Sequence, residues 1–114
     1  MPRQSTVKTV TIPLVLAVGA DAALVEQCRE AAKVAAAVVR ECDAAGVASE
    51  AALWRPFALV MPDRVYEVDP REYDELARDV GGRVVRVSAG TPTKALEALL
   101  LGTFLEWEQR RNVL

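Results

Sequence analysis

Histidine is missing from this 114-residue chain. Its absence removes the side chain most used as a general base near neutral pH, and the most frequent metal ligand. Cysteine is scarce. Cys28 and Cys42 form no CxxC pair and have no histidine to complete a zinc set, so no metal site is expected. Both are read as reduced, small buried hydrophobes. A basic excess is also absent: 14 Lys and Arg stand against 16 Asp and Glu, a net charge of −2. No positive field draws in nucleic acid or an anionic membrane. Ile12–Ala20 is apolar but too short to span a bilayer, and no signal-peptide pattern follows Met1-Pro2-Arg3-Gln4-Ser5. A cytoplasmic protein is expected. Ser5, Ser49 and Ser88 have no histidine partner and no nucleophile-elbow motif, which leaves hydrolase chemistry without support. No cofactor is expected either, because no GxGxxG or Walker pattern is present. Aromatic residues make up only 5%, so alanine, valine and leucine must carry the core of a chain that is 52% apolar.

What is present centres on Trp54–Asp63. Five apolar residues, Phe57 to Met61, lie between Pro56 and Pro62. A short run without polar alternation suits a strand buried on both faces, as in the centre of a parallel sheet. Leu14–Val18 has the same character, with Pro13 before it and Gly19-Ala20 after it. Thr6–Ile12, rich in β-branched residues, is read as an extension of that strand. Asp21 is placed to cap a helix whose inner face is Leu24, Val25, Cys28, Ala31, Ala32 and Ala35. Ala36–Glu41 reads as a second strand, although periodicity alone equally allows the helix to continue there. Asp43–Gly46 reads as a turn. Val47–Trp54 reads as a helix with Val47, Ala51 and Trp54 inward, after which the proline biases Arg55 toward extended backbone.

Beyond the central strand, Val65–Val68 reads as a loop or short extended piece. Asp69-Pro70 opens a helix with Tyr73, Leu76, Ala77 and Val80 as its stripe and Gly81-Gly82 as its stop. Arg83–Ser88 is a less buried strand. Thr91 and Pro92 are read as the cap and first position of a last helix from about Thr93 to Arg111. Residues 1–5 form a polar arm and 6–114 one domain. Short strands alternating with helices predict a three-layer α/β fold, a mostly parallel sheet of four to five strands with helices on both faces.

The stretch Val38–Met61 resembles the second strand, second helix and third strand of the response-regulator receiver family. Leu14–Asp21 and Val84–Ala89 look like that family's first and fourth strands. The resemblance covers roughly residues 10–90. It implies a flavodoxin-like fold and a pocket at the strand ends. Receivers hold magnesium with an acidic pair after strand one, where this chain has Gly19 and Ala20, followed by Asp21. Their phosphate-accepting aspartate closes strand three, where this chain has Pro62, with Asp63 one residue late. A one-residue slip reverses a strand side chain, so Asp63 is expected to miss the pocket. Ser88 matches the hydroxyl after strand four. No residue matches the lysine; Lys94 belongs to a helix start. The resemblance therefore implies a degenerate, non-enzymatic pseudo-receiver that signals or scaffolds through protein contacts. The alternatives are a phosphorylatable receiver using Asp63, and a small-ligand-binding domain using the crevice beyond Gly19 and Pro62.

The last helix suggests where contacts lie. Leu96, Leu99, Leu100, Thr103, Phe104 and Trp107 share one face, while Ala98, Leu101, Leu105 and Gln109 lie opposite. A second apolar face is expected to meet a partner protein or a second copy, or to be covered by Asn112-Val113-Leu114 folding back. Exchange of Thr6–Ile12 between two copies is a further route to a dimer. Asp69, Glu72, Asp74 and Glu75 read as a cap and solvated face, because their spacing is not that of a calcium loop. Arg83 and Arg86 read as sheet-margin residues with packed stems.

Overall fold

The computed structural model describes residues 12–112, the side chain of Asn112 excepted. The polar arm and the expected strand extension through Thr11 lie outside the described residues, as do Val113 and Leu114. Four strands, β1 (Leu14–Val18), β2 (Val38–Cys42), β3 (Ala58–Pro62) and β4 (Arg83–Val87), form one parallel sheet in the order β2-β1-β3-β4. Helices α1 (Ala22–Ala32), α2 (Val47–Trp54), α3 (Asp63–Tyr66), α4 (Pro70–Asp79) and α5 (Thr93–Asn112) connect or follow the strands. This is the three-layer α/β architecture that the alternation predicts, and it is consistent with the flavodoxin-like fold that the resemblance implies. Among the described residues the sheet stops at four strands, and β4 leads directly into α5.

The two layers follow from strand alternation. Val15 and Ala17 of β1, with Ala58 and Val60 of β3 and Val85 and Val87 of β4, face α1 and α5. Leu14, Leu16 and Val18, with Leu59 and Met61, face α2, α3 and α4. Because both faces of β1 and β3 are covered, neither strand has a side chain that needs water. Cys28 is fully buried against the first layer, and burial pushes its thiol up to about 11. Half of the six aromatic residues gather there: Phe57, Phe104 and Trp107 pack with ring centroids 5.6–5.8 Å apart.

The edges are polar. On β2, Arg40 stacks over Trp54 at 4.2 Å and Glu41 pairs with Arg29 at 3.5 Å. On β4, Arg83 pairs with Glu106 at 2.8 Å. Charged, paired side chains along a margin discourage strand-to-strand association.

Several local expectations hold. Asp21 caps α1 by accepting from the Leu24 N–H at 2.9 Å, and Asp69 caps α4 by accepting from Glu72 at 3.3 Å. Others are corrected. Trp54 is 40% exposed, not inward, because it leaves the end of α2 toward Arg40. Val65 and Tyr66, expected to begin a loop or short extended piece over Val65–Val68, instead belong to a helical turn, Asp63–Tyr66. Ala36 adopts left-handed backbone and ends the first helical segment, so β2 starts two residues later, at Val38. Thr91 does not cap α5: its hydroxyl donates to the Ser88 carbonyl at 2.9 Å. Pro92 stands before the first helical turn and accepts from Ala95 and Leu96. Arg55 is not extended. It takes φ 48°, ψ 61° and caps α2 through its N–H to the Ala51 carbonyl.

Of the glycines, Gly82 has the closest neighbours. A Cβ there would lie 2.5 Å from the Pro56 carbonyl oxygen and 2.9 Å from that of Phe57. Backbone atoms cannot yield as a flexible side chain does. Gly82→Ala is therefore expected to destabilise the protein by about 1–3 kcal/mol, the range for overpacking, read as a lower urea midpoint with unchanged slope. Gly81→Ala meets no neighbour within 4 Å, but it adopts φ 81° and should cost less, about 1 kcal/mol.

Candidate functional site: a cleft at the strand ends

Three strand-to-helix turns build the cleft. After β1 the chain reverses at Gly19, φ 62°, whose N–H donates to the Cys42 carbonyl at 2.9 Å. After β3, Pro62 is extended and Asp63 opens α3. After β4 come Ser88, Ala89 and Gly90. The space between them is about 490 Å³, lined by Asp21, Gln27, Asp63, Arg64, Ser88 and Gly90 among others. Gln27 closes one wall by donating to the Thr91 carbonyl at 2.8 Å, and Arg64 donates to the Gly19 carbonyl at 3.3 Å. The position follows the general rule for open α/β sheets, at the carboxyl ends of the strands.

Asp63 lies in this cleft, contrary to the expectation that it would miss it. Strand alternation does not apply, because β3 ends at Pro62 and the direction of Asp63 is set by a helix start. Its carboxylate is already engaged on both oxygens. Oδ1 accepts from Arg86 Nε at 2.9 Å and Oδ2 from the Ser88 hydroxyl at 2.9 Å. Arg86 also reaches Glu67 at 3.3 Å and lies 4.5 Å over the Tyr66 ring. Tyr66 donates to Asp74 at 2.9 Å; that hydrogen bond, ahead of burial and the Asp74 charge, raises its pKa against the opposing effect of Arg86. Asp63, Ser88, Arg86, Glu67, Tyr66 and Asp74 thus form one polar chain.

Of the residues singled out from sequence, Asp21, Pro62, Asp63 and Ser88 do line one cleft. Gly19 stands beside it as the acceptor for Arg64, and Ala20 is half-buried between Gly19 and Asp21. Arg64 and Gln27 are additions. Arg86, read from the sequence as a sheet-margin residue, is here the partner of Asp63, and the sequence did not indicate which acid it meets.

This arrangement does not resemble a cation site. A hard divalent cation needs several free oxygens. Asp63 is neutralised by a guanidinium, and Asp21 is occupied as a helix cap. Among the described residues no three acidic, histidine or cysteine side chains group as metal ligands. Gly19 cannot supply a further carboxylate. Its φ is positive, and a Cβ there would meet Val65 Cγ2 at 2.9 Å.

The outer face of α5 is the second candidate. Leu96, Leu100 and Trp107 are buried, and Thr103 and Phe104 are half-buried. Ala98, Leu101, Leu105 and Gln109 are exposed, with Leu101 at 39% and Leu105 at 54%. Leu99 corrects the expected inner face: it is 48% exposed, since no described strand lies beyond β4 to cover that side of the helix. No helix among the described residues is long and apolar enough to cross a membrane.

Comparison of the chain with protein-family models and with curated proteins finds no match.

Gly19→Asp is expected to lower stability by about 1–3 kcal/mol through left-handed strain without creating magnesium affinity. Thermal unfolding with and without millimolar magnesium reads both effects. A magnesium-dependent rise in melting temperature for this variant would contradict the account of the cleft.

Proposed function

We propose that this protein is a non-catalytic, receiver-like interaction module of the cytoplasm. It acts in signalling or scaffolding by forming a homodimer, or binding a partner protein, through the outer face of α5. The observation that carries this reading is that Ala98, Leu101 and Leu105, with Gln109, share one exposed face of a helix whose opposite face already fills the core. Scattered exposed leucines need no explanation, but two on one helix face with an alanine beside them form a patch. Under two-fold symmetry the same patch serves both copies. An antiparallel pairing centred near Leu101 sets the small Ala98 of each copy opposite the large Leu105 of the other.

The cleft supports the non-catalytic half of the reading. Phosphoryl transfer depends on metal, carboxylate and cation held in place together. Here the carboxylate that follows β3, Asp63, is paired with Arg86 and Ser88. Two free thiols, one fully buried, suit a reducing compartment. Neither a membrane nor a nucleic acid is a partner in this reading.

Light scattering across a concentration series tests it. Wild type is expected as a dimer, and Leu105→Glu as a folded monomer with unchanged circular dichroism. A wild-type monomer that also captures no partner would remove the reading. Incubation with magnesium and acetyl phosphate is expected to add no mass. An 80-dalton gain, abolished by Asp63→Asn, would instead identify a working receiver (mass of one added phosphoryl group, about 80 Da, on a carboxylate acceptor).

A further inference from the structure

At the opposite end of the sheet, where β3 and β4 begin, arginines converge. Gly82 lets the entry of β4 lie directly on the Pro56 and Phe57 carbonyls. That approach sets Gly81 beside Arg55 on one side and beside the end of α5 on the other. The result is a cavity of about 410 Å³ lined by Arg55, Val80, Gly81, Trp107, Arg110 and Arg111. Three of its six lining residues are arginines and none is acidic. Arg78 and Arg83 line an adjoining depression together with Asp74, and it shares Gly81 and Arg110 with the cavity. Five arginines therefore lie around the two depressions, with one carboxylate in the second, in a protein of net charge −2.

The guanidinium groups are positioned before any ligand arrives. Arg110 donates to the Gly81 carbonyl at 2.7 Å, and Arg111 lies 4.5 Å over the Trp107 ring. Their carboxylate contacts are long, 3.9 Å to Glu106 and 3.8 Å to Glu108, and Glu106 is held more closely by Arg83 at 2.8 Å. Arg55 has no ion-pair partner among the described residues. It is also one of only two non-glycine residues there in left-handed backbone, at φ 48°. That conformation is unfavourable for a residue with a Cβ, and glycine or asparagine would cap α2 at lower cost. A strained residue that also holds an unpaired charge at a cavity mouth points to a use other than folding.

We propose that this cavity binds a small molecule carrying phosphate groups, clamped by Arg55, Arg110 and Arg111. Planar guanidinium forks match phosphate oxygens in pairs, and several converging forks suit a ligand with more than one negative charge. The volume is at the lower end of the range for small-molecule sites, which favours a compact phosphorylated metabolite. The site lies on the other side of the sheet's length from the cleft at Asp63, and it does not depend on the dimer reading.

Inorganic pyrophosphate is the probe. Titration into the 114-residue chain carrying Trp54→Phe leaves Trp107 as its only tryptophan, so its emission reports on the cavity wall. Saturable binding is expected, weakening as salt is raised. Arg55→Gln and Arg110→Gln should each weaken it at least tenfold, and Arg40→Gln, on the far edge of the sheet, should change it less than twofold. Arg55→Gly is the decisive variant: it should raise the melting temperature by relieving backbone strain and still lose pyrophosphate binding. Absence of a saturable signal overturns the proposal, as does equal weakening by Arg40→Gln.

Discussion

The contact on which most of this structure depends is the approach of one backbone to another at Gly82. With no side chain there, the start of β4 rests against the carbonyls of Pro56 and Phe57, and Arg83 N–H donates to the Phe57 carbonyl at 3.0 Å. That bond fixes the β3–β4 register, with Ala58 beside Arg83 and Met61 beside Arg86. Register then determines the chemistry at both ends of the sheet. At the carboxyl end it delivers Arg86 and Ser88 to Asp63. At the amino end it holds Gly81 where Arg110 can reach its carbonyl. Arg83, Val85 and Val87 share one face of β4, and Val84 and Arg86 the other, so a shift by one residue would exchange the two faces and take Val85 and Val87 out of the core beneath α1 and α5.

Much of this was legible in the sequence. The uninterrupted run Phe57–Met61 identified a strand covered on both faces, and aspartate with its following residues marked the starts of α1 and α4. These signals are local, so neighbours in sequence suffice to read them. The misread positions share a different cause. Arg55 precedes a proline, which argues for extended backbone, but the end of α2 needed a left-handed cap and tertiary packing outweighed the local preference. Leu99 follows the periodicity of its buried neighbours and is exposed only because the sheet ends at β4. Trp54 leaves the core for a cationic partner 14 residues earlier in the chain.

The polar chain at the strand ends was the least legible part. Asp63, Arg86 and Ser88 were each visible as residue types, but their union needs a strand pairing that no spacing rule encodes. Separations of 23 and 25 residues carry no helical or strand periodicity. The same limit applies at the other end, where residues from α2, the β4 entry and α5 share one cavity. Elements can be read from patterns, whereas sites assembled from several elements depend on how those elements meet.

The crowding around Gly19 has an evolutionary consequence. A pocket that merely lacks a ligand residue is one substitution from acquiring it. Here three obstacles stand together: left-handed backbone, the Val65 methyl group above it, and an arginine already seated on the Asp63 carboxylate. A carboxylate introduced at Gly19 would meet backbone strain and the Val65 side chain, and the Asp63 carboxylate across the cleft is already committed to Arg86 and Ser88. The chemistry of the cleft is thus tied to ordinary packing around it.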